Sequence, residues 1–161
     1  MRGAPPNLTV NLRRLRFIGF GGYVGVSFSG GSKLVVDDCY FDSLNHGIVF
    51  DVEGSLTVTG TKIHAGTGIR LDATPARKTA FIGKSLFFGG NTSAVEVNSN
   101  GSVTVDQSDF NRVSLAFLVN GTGSILVKGG TIDRVPNVMK VGPTGSLEIT
   151  NTEIKNSTIR R

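Results

Sequence analysis

Apolar residues in this chain recur as pairs two positions apart, and the pairs themselves recur at a nearly constant interval. Val10/Leu12, Leu34/Val36, Leu56/Val58, Ala80/Ile82, Val103/Val105, Ile125/Val127 and Leu147/Ile149 form one series, with steps of 24, 22, 24, 23, 22 and 22 residues. Three positions after each pair comes a mostly small residue: Leu15, Cys39, Thr61, Ser85, Ser108, Gly130 and Thr152. Two further on stands a bulky one: Phe17, Phe41, Ile63, Phe87, Phe110, Ile132 and Ile154. A second series of pairs closes each interval: Val26/Phe28, Ile48/Phe50, Ile69/Leu71, Val95/Val97, Phe117/Val119 and Met139/Val141. Alternation with period two is the pattern of a strand that buries one face. Outside the small column every aligned position is apolar, in a chain that is only 39% hydrophobic.

The interval decides the architecture. About 22 residues cannot hold a strand, a crossover helix and a second strand, which together need roughly 30 or more. They can hold one coil of short strands and tight corners. Coils stacked about 4.8 Å apart make parallel sheets, in which each inward column becomes a ladder of like side chains. The pattern therefore predicts a single all-β domain over residues 1–161, a parallel β-helix of about seven coils of 22–24 residues. Composition agrees, with 22 Gly to make corners, no Trp and 18% charged residues.

The order apolar-x-apolar-x-x-small-x-Phe/Ile, followed by Gly-Ile-x-apolar, resembles the right-handed parallel β-helix proteins of the pectate-lyase-like superfamily. Residues 34–52, LVVDDCYFDSLNHGIVFDV, carry it most clearly. The likeness extends from residue 8 to about 159 and concerns packing positions, so it implies architecture. Right-handedness is what the resemblance and the general rule for parallel crossovers imply.

Function in a solenoid tends to sit where the repeat departs from itself. The corners between pairs are short except at residues 18–25 and 72–79, and neither forms the long walls that polysaccharide-cleaving members of that superfamily build. A non-catalytic protein is the first expectation. On the outward side, the register would place Arg13 beside Asp37 and Arg14 beside Asp38. It would also align Arg16, Tyr40 and Lys62, with His64 nearby. Such a cationic and aromatic row could bind an acidic sugar; in a lyase-like reaction Lys62 or Arg16 would take the proton and Arg14 would neutralise the substrate carboxylate. Val35, Phe81 and Leu126 should stand on the outside of a sheet and could mark a contact surface. Asp51, Asp72, Asn98 and Asn120 read as a row of corner residues rather than a calcium site. Neither metal nor cofactor is expected.

The formal charge of +5 suits an acidic polymer, but the charge is dispersed apart from Arg13, Arg14, Arg16 and Arg160-Arg161. Acidic polysaccharide is therefore the expected polymer, and nucleic acid is not. No window is apolar enough to span a membrane, and Met1-Arg2-Gly3 does not open a secretion signal, so no membrane partner is expected. Cys39 is the single cysteine and should lie inside. No amphipathic cap precedes Val10 or follows Ile154. The chain is expected either to be cut from a longer one or to meet something at its ends, for instance another copy stacked on Leu147 and Ile149. Two readings follow: a scaffold acting through self-association or polymer binding, or a small acidic-polysaccharide-binding or lyase-like protein using the outer face of coils one to three.

Overall fold

The computed structural model describes residues 7–20, 22–72, 77–90, 92–98 and 100–159. The expectations placed on Arg160, Arg161 and the middle of the 72–79 corner lie outside them. The described residues contain strands and turns and no helix.

Seven strands form one sheet, each parallel to its neighbours: β1 (Thr9–Arg13), β4 (Lys33–Asp37), β6 (Gly54–Thr59), β8 (Lys78–Gly83), β11 (Ser102–Asp106), β14 (Ser124–Lys128) and β17 (Ser146–Thr150). The second sheet has eleven strands arranged as two arms. The short arm holds β2 (Arg16–Ile18), β9 (Leu86–Phe88), β12 (Asp109–Asn111), β15 (Thr131–Asp133) and β18 (Glu153–Lys155). The long arm holds β3 (Val24–Phe28), β10 (Ser93–Val97), β13 (Leu115–Val119) and β16 (Asn137–Val141). Two longer strands, β5 (Tyr40–Phe50) and β7 (Lys62–Leu71), run through both arms. The chain thus winds as a parallel β-solenoid, passing seven times through the first sheet and completing six turns through the long arm.

The register reproduces the columns. Val10 pairs with Leu34, Leu34 with Leu56, and so on to Leu147. Strands alternate buried and outward residues, so each inward side chain stacks on its counterpart one coil away. Phe17 stacks on Phe41 with ring centroids 4.6 Å apart, Phe28 on Phe50 at 5.5 Å and Phe87 on Phe110 at 4.9 Å. Interior coils bury these residues completely. Val10, Leu12 and Phe17 in the first coil, and Leu147, Ile149 and Ile154 in the seventh, are only partly buried. A coil alone covers one side of its ladder, so its neighbours supply the stability.

The small column has its own chemistry. The Cys39 amide donates to Thr61 Oγ1, the Thr61 amide to Ser85 Oγ and the Ser85 amide to Ser108 Oγ. Each hydroxyl in turn donates to the carbonyl two residues before it: Thr59, Gly83 and Asp106. This buried hydroxyl ladder satisfies corner amides that no sheet bond reaches. Just before it, Arg14, Asp38, Lys84, Gln107 and Asn151 turn the chain at φ between 48° and 54°. Gly60 and Gly129 hold the same column at 56° and 69°.

A similar corner separates the two arms, and its fate follows from spacing. Phe87 to Val95 is eight residues, Phe110 to Phe117 and Ile132 to Met139 are seven, but Ile63 to Ile69 is only six. The third coil therefore has no residue left for a corner, and β7 runs straight. In the second coil the one additional residue becomes a register shift between Phe41 and Leu44, with Ser43 at φ 58°.

Candidate functional site

The outer face of the short arm carries the predicted row. Arg16 pairs with Tyr40 and Tyr40 with Lys62 in consecutive coils. The Arg16 guanidinium lies 5.4 Å from the centroid of the Tyr40 ring, a cation–π arrangement. At the adjoining corner, Arg14 Nε comes within 3.9 Å of Asp38 Oδ2, both side chains being largely exposed. These residues, with Leu15, Cys39 and Gly60, line a shallow depression of about 440 Å³. Leu15 sits over Cys39, yet it is 42% exposed, because among the described residues its coil is covered by a neighbouring coil on one side only.

His64 lies two residues beyond Lys62 and turns away from that depression. Its Nδ1 meets Asp42 Oδ1 at 2.7 Å, and its ring stacks on Phe88 at 5.2 Å. That hydrogen bond, helped by Ser43, holds the Asp42 carboxyl below its usual range. Ser43, Leu44, Asn45, Gly66, Gly89 and Thr92 complete a second hollow of about 380 Å³ beside the imidazole. The structure thus separates the cationic aromatic row from His64, which the sequence places near it, and pairs His64 with Asp42 instead.

A third polar group on the long arm escaped the sequence reading. Arg70 and Glu96 are register partners on the outward side. Arg70 Nη2 bonds Asp72 Oδ2 at 2.8 Å, which raises the guanidinium pKa. Glu96 accepts from Ser93 Oγ and Asn98 Nδ2, and Asn98 Oδ1 accepts from Asn120 Nδ2 at 2.7 Å in the next coil. His46 lies close by, and burial, then the Arg70 charge, pushes its pKa down. Its Nδ1 and the Arg70 Nε are buried without a hydrogen-bond partner. The signal for this cluster was present: a charged residue stands between two inward apolar ones in consecutive coils, Ile69-Arg70-Leu71 and Val95-Glu96-Val97.

On the first sheet, Arg13 bonds Asp37 at 3.0 Å, and Thr59 donates to the other oxygen of that carboxylate at 2.7 Å. Both bonds, the Thr59 one foremost, lower the Asp37 pKa. Val35, Phe81 and Leu126 occupy one outward column of this sheet, and Phe81 is 39% exposed. Leu147 and Ile149 lie half-buried in the last coil, where Leu147 joins Met139 and Val141 around a hollow of about 810 Å³. Among the described residues no group of three His, Cys, Asp or Glu side chains could hold a metal ion, and no helix is long and apolar enough to cross a membrane. Comparison of the chain with protein-family models, with curated proteins and with solved structures found no match.

Proposed function

We propose that this protein is a non-catalytic scaffold that works by stacking on copies of itself, end to end. The supporting observation is where the apolar surface is exposed. Of the eight large apolar side chains exposed among the described residues, six belong to the first coil: Leu8, Leu15, Ile18, Phe20, Tyr23 and Val24. At the other end, among the described residues, β17 and β18 are paired on one side only and β16 is met beyond β13 only by Thr158, beside the apolar hollow formed by Met139, Val141 and Leu147. The two ends carry the same columns, Val10 and Leu12 at one and Leu147 and Ile149 at the other, so a second copy would continue the ladder in register. A contact between unlike ends does not close, and assembly would grow with concentration. Light scattering across concentrations tests this. Size should rise, more so as salt screens Arg13, Arg14 and Arg16. Leu147→Lys with Ile149→Lys should stop the growth. A size that stays constant at every concentration and salt level overturns the reading.

The Arg16–Tyr40–Lys62 row supports a second reading, an acidic-polysaccharide-binding or lyase-like protein related to the pectate-lyase-like superfamily. The row offers alternating cation and ring to an anionic sugar chain, beside the exposed Arg14. It would bind polygalacturonate at low salt and release it at high salt. Retention on that polymer unchanged by Arg16→Ala and Lys62→Ala would discard it.

A further inference from the structure

We infer that the outer face of the seven-stranded sheet is a twofold interface, on which a second copy of this chain docks with its coil order reversed and Phe81 on the axis. The inference rests on self-association to the extent that the partner is another copy, but it uses a different surface.

The middle outward column of the sheet alternates along the rod. Even coils carry Val35, Phe81 and Leu126, whereas odd coils carry Asn11, Thr57, Thr104 and Glu148. This order is symmetric about the fourth coil. Turning a copy by 180° about the direction of β8 brings coil one over coil seven, two over six and three over five. Phe81 then meets Phe81, Val35 meets Leu126 and Thr57 meets Thr104. The Phe81 ring leans over Gly83, whose missing side chain leaves it room: a Cβ there would lie 2.7 Å from Phe81 Cε1. The two copies can thus bring their rings together without a bulky neighbour between them.

The charges obey the same operation. The face as a whole carries three cations, Arg13, Lys33 and Lys128, and three carboxylates, Asp37, Asp106 and Glu148. It is neutral on a molecule whose formal charge is +5. Its first three coils hold two of the cations and one carboxylate, and its last three hold the reverse. Reversal therefore lays the positive half of one copy on the negative half of the other, with Lys128 facing Asp37 and Asn11 facing Glu148. The alternative twofold, with coils in the same order, would set Glu148 against Glu148 and like half against like half. Complementary potentials select the first arrangement. The depression of about 680 Å³ lined by Asn11, Arg13, Val35, Asp37 and Thr59 is where Leu126 and Lys128 of the second copy would seat.

The size is sufficient. Seven strands about 4.8 Å apart, each about 17 Å long, give a face on the order of 550 Å² per copy. The total of about 1,100 Å² clears the roughly 1,000 Å² that a specific interface needs. Sheets stacked in this way keep their strands aligned, about 10 Å apart.

Cysteine scanning with a short flexible bis-maleimide, which spans sheets about 10 Å apart where a direct disulfide cannot reach, tests the geometry in the full chain, since Cys39 is buried. The F81C variant should form a covalent dimer, because a residue on a twofold axis meets itself. V35C and L126C should each fail to crosslink alone and should crosslink when mixed. Efficient crosslinking of V35C with itself would overturn the reversed arrangement, and absence of both the F81C dimer and the mixed V35C–L126C product, the latter with Phe81 intact, would overturn the interface. Phe81→Lys should leave the circular dichroism unchanged and abolish the lateral dimer. K128D should weaken it at least tenfold, and D37K combined with K128D should restore part of the loss. The lateral contact closes at two copies whereas end stacking is open, so the variants separate the readings. Phe81→Lys leaves end-to-end growth intact, and Leu147→Lys with Ile149→Lys leaves the dimer.

Discussion

Asp42 and His64, 22 residues apart in sequence, meet at 2.7 Å between carboxylate and imidazole Nδ1, tying the second coil to the third. The bond holds the Asp42 carboxyl below its ordinary value. Asp37 is lowered by Thr59 and Arg13 in the same way, one sheet away. A carboxyl whose folded pKa is depressed stabilises the fold fully above its unfolded value and loses that contribution as pH falls through the folded one. These two groups therefore act below about pH 4. His46 acts in a different window. Burial lowers its pKa from 6.5, so the unfolded chain takes up a proton first, and stability begins to fall as pH drops below that value.

Thermal melts as a function of pH should accordingly show two acid-side declines. Asp42→Asn should make the one below about pH 4 shallower, leaving the Asp37 share, and should leave the other decline unchanged. His46→Gln should flatten the decline that starts near 6.5 and leave the carboxylate one. A single decline, unaltered by both substitutions, would show that neither group titrates as its surroundings dictate.

Cys39 is 3% exposed, with its Sγ directed at the Leu12 and Asp37 carbonyls. A thiol so placed behaves as a small core residue. An aromatic disulfide reagent should react with less than about one-tenth of the native protein in the time that it labels the unfolded chain fully, because labelling has to await local opening. Immediate stoichiometric labelling in native buffer would displace the second coil's register.

Phe87 lies between Ile63 and Phe110 at 1% exposure, its ring stacked on that of Phe110. Phe87→Ala should cost about 3–5 kcal/mol in urea unfolding, the range for buried rings. Phe17→Ala should cost visibly less, since Phe17 is only partly buried among the described residues. Equal costs at both positions would mean that something covers the first coil.

The ladders were legible in the sequence because an inward position in a coil admits little besides an apolar side chain, and the repeat presents the same choice seven times. The corners were far less so. Arg14, Asp38, Gly60, Lys84, Gln107, Gly129 and Asn151 share one left-handed conformation, and only two of them are glycine, the residue whose presence would have flagged it. The straight course of β7 could have been read from the six-residue gap between Ile63 and Ile69, but only by comparing gaps across coils. Of the candidate site, the Arg16–Tyr40–Lys62 row followed directly from register. His64 did not, because its partner Asp42 lies in the neighbouring coil, and alternation says which face a side chain leaves from, not where its tip goes. The Arg70–Glu96 cluster was not legible for the same reason: alternation marks both residues as outward and does not say that Asp72, Ser93 and Asn98 gather around them.

The small column shows the same gap between pattern and chemistry, and it yields a sharper test. Small side chains were expected there for packing, yet Ser85 does more than fit. Its Oγ accepts the Thr61 amide at 3.3 Å and donates to the Gly83 carbonyl at 3.0 Å. The residue is 4% exposed, so water cannot replace it. Ser85→Ala preserves the volume almost unchanged and leaves both backbone groups buried without that partner, which should cost about 1–3 kcal/mol. Ser85→Thr keeps the hydroxyl, and Thr61 holds the same column one coil away at 0% exposure, so this variant should lie within about 1 kcal/mol of the parent. The two substitutions change size in opposite directions, one slightly smaller and one larger. If packing alone governs the column, the larger threonine will be the worse of the two. If the hydroxyl ladder holds the corners, alanine will be, and denaturant unfolding of the two variants side by side decides between them.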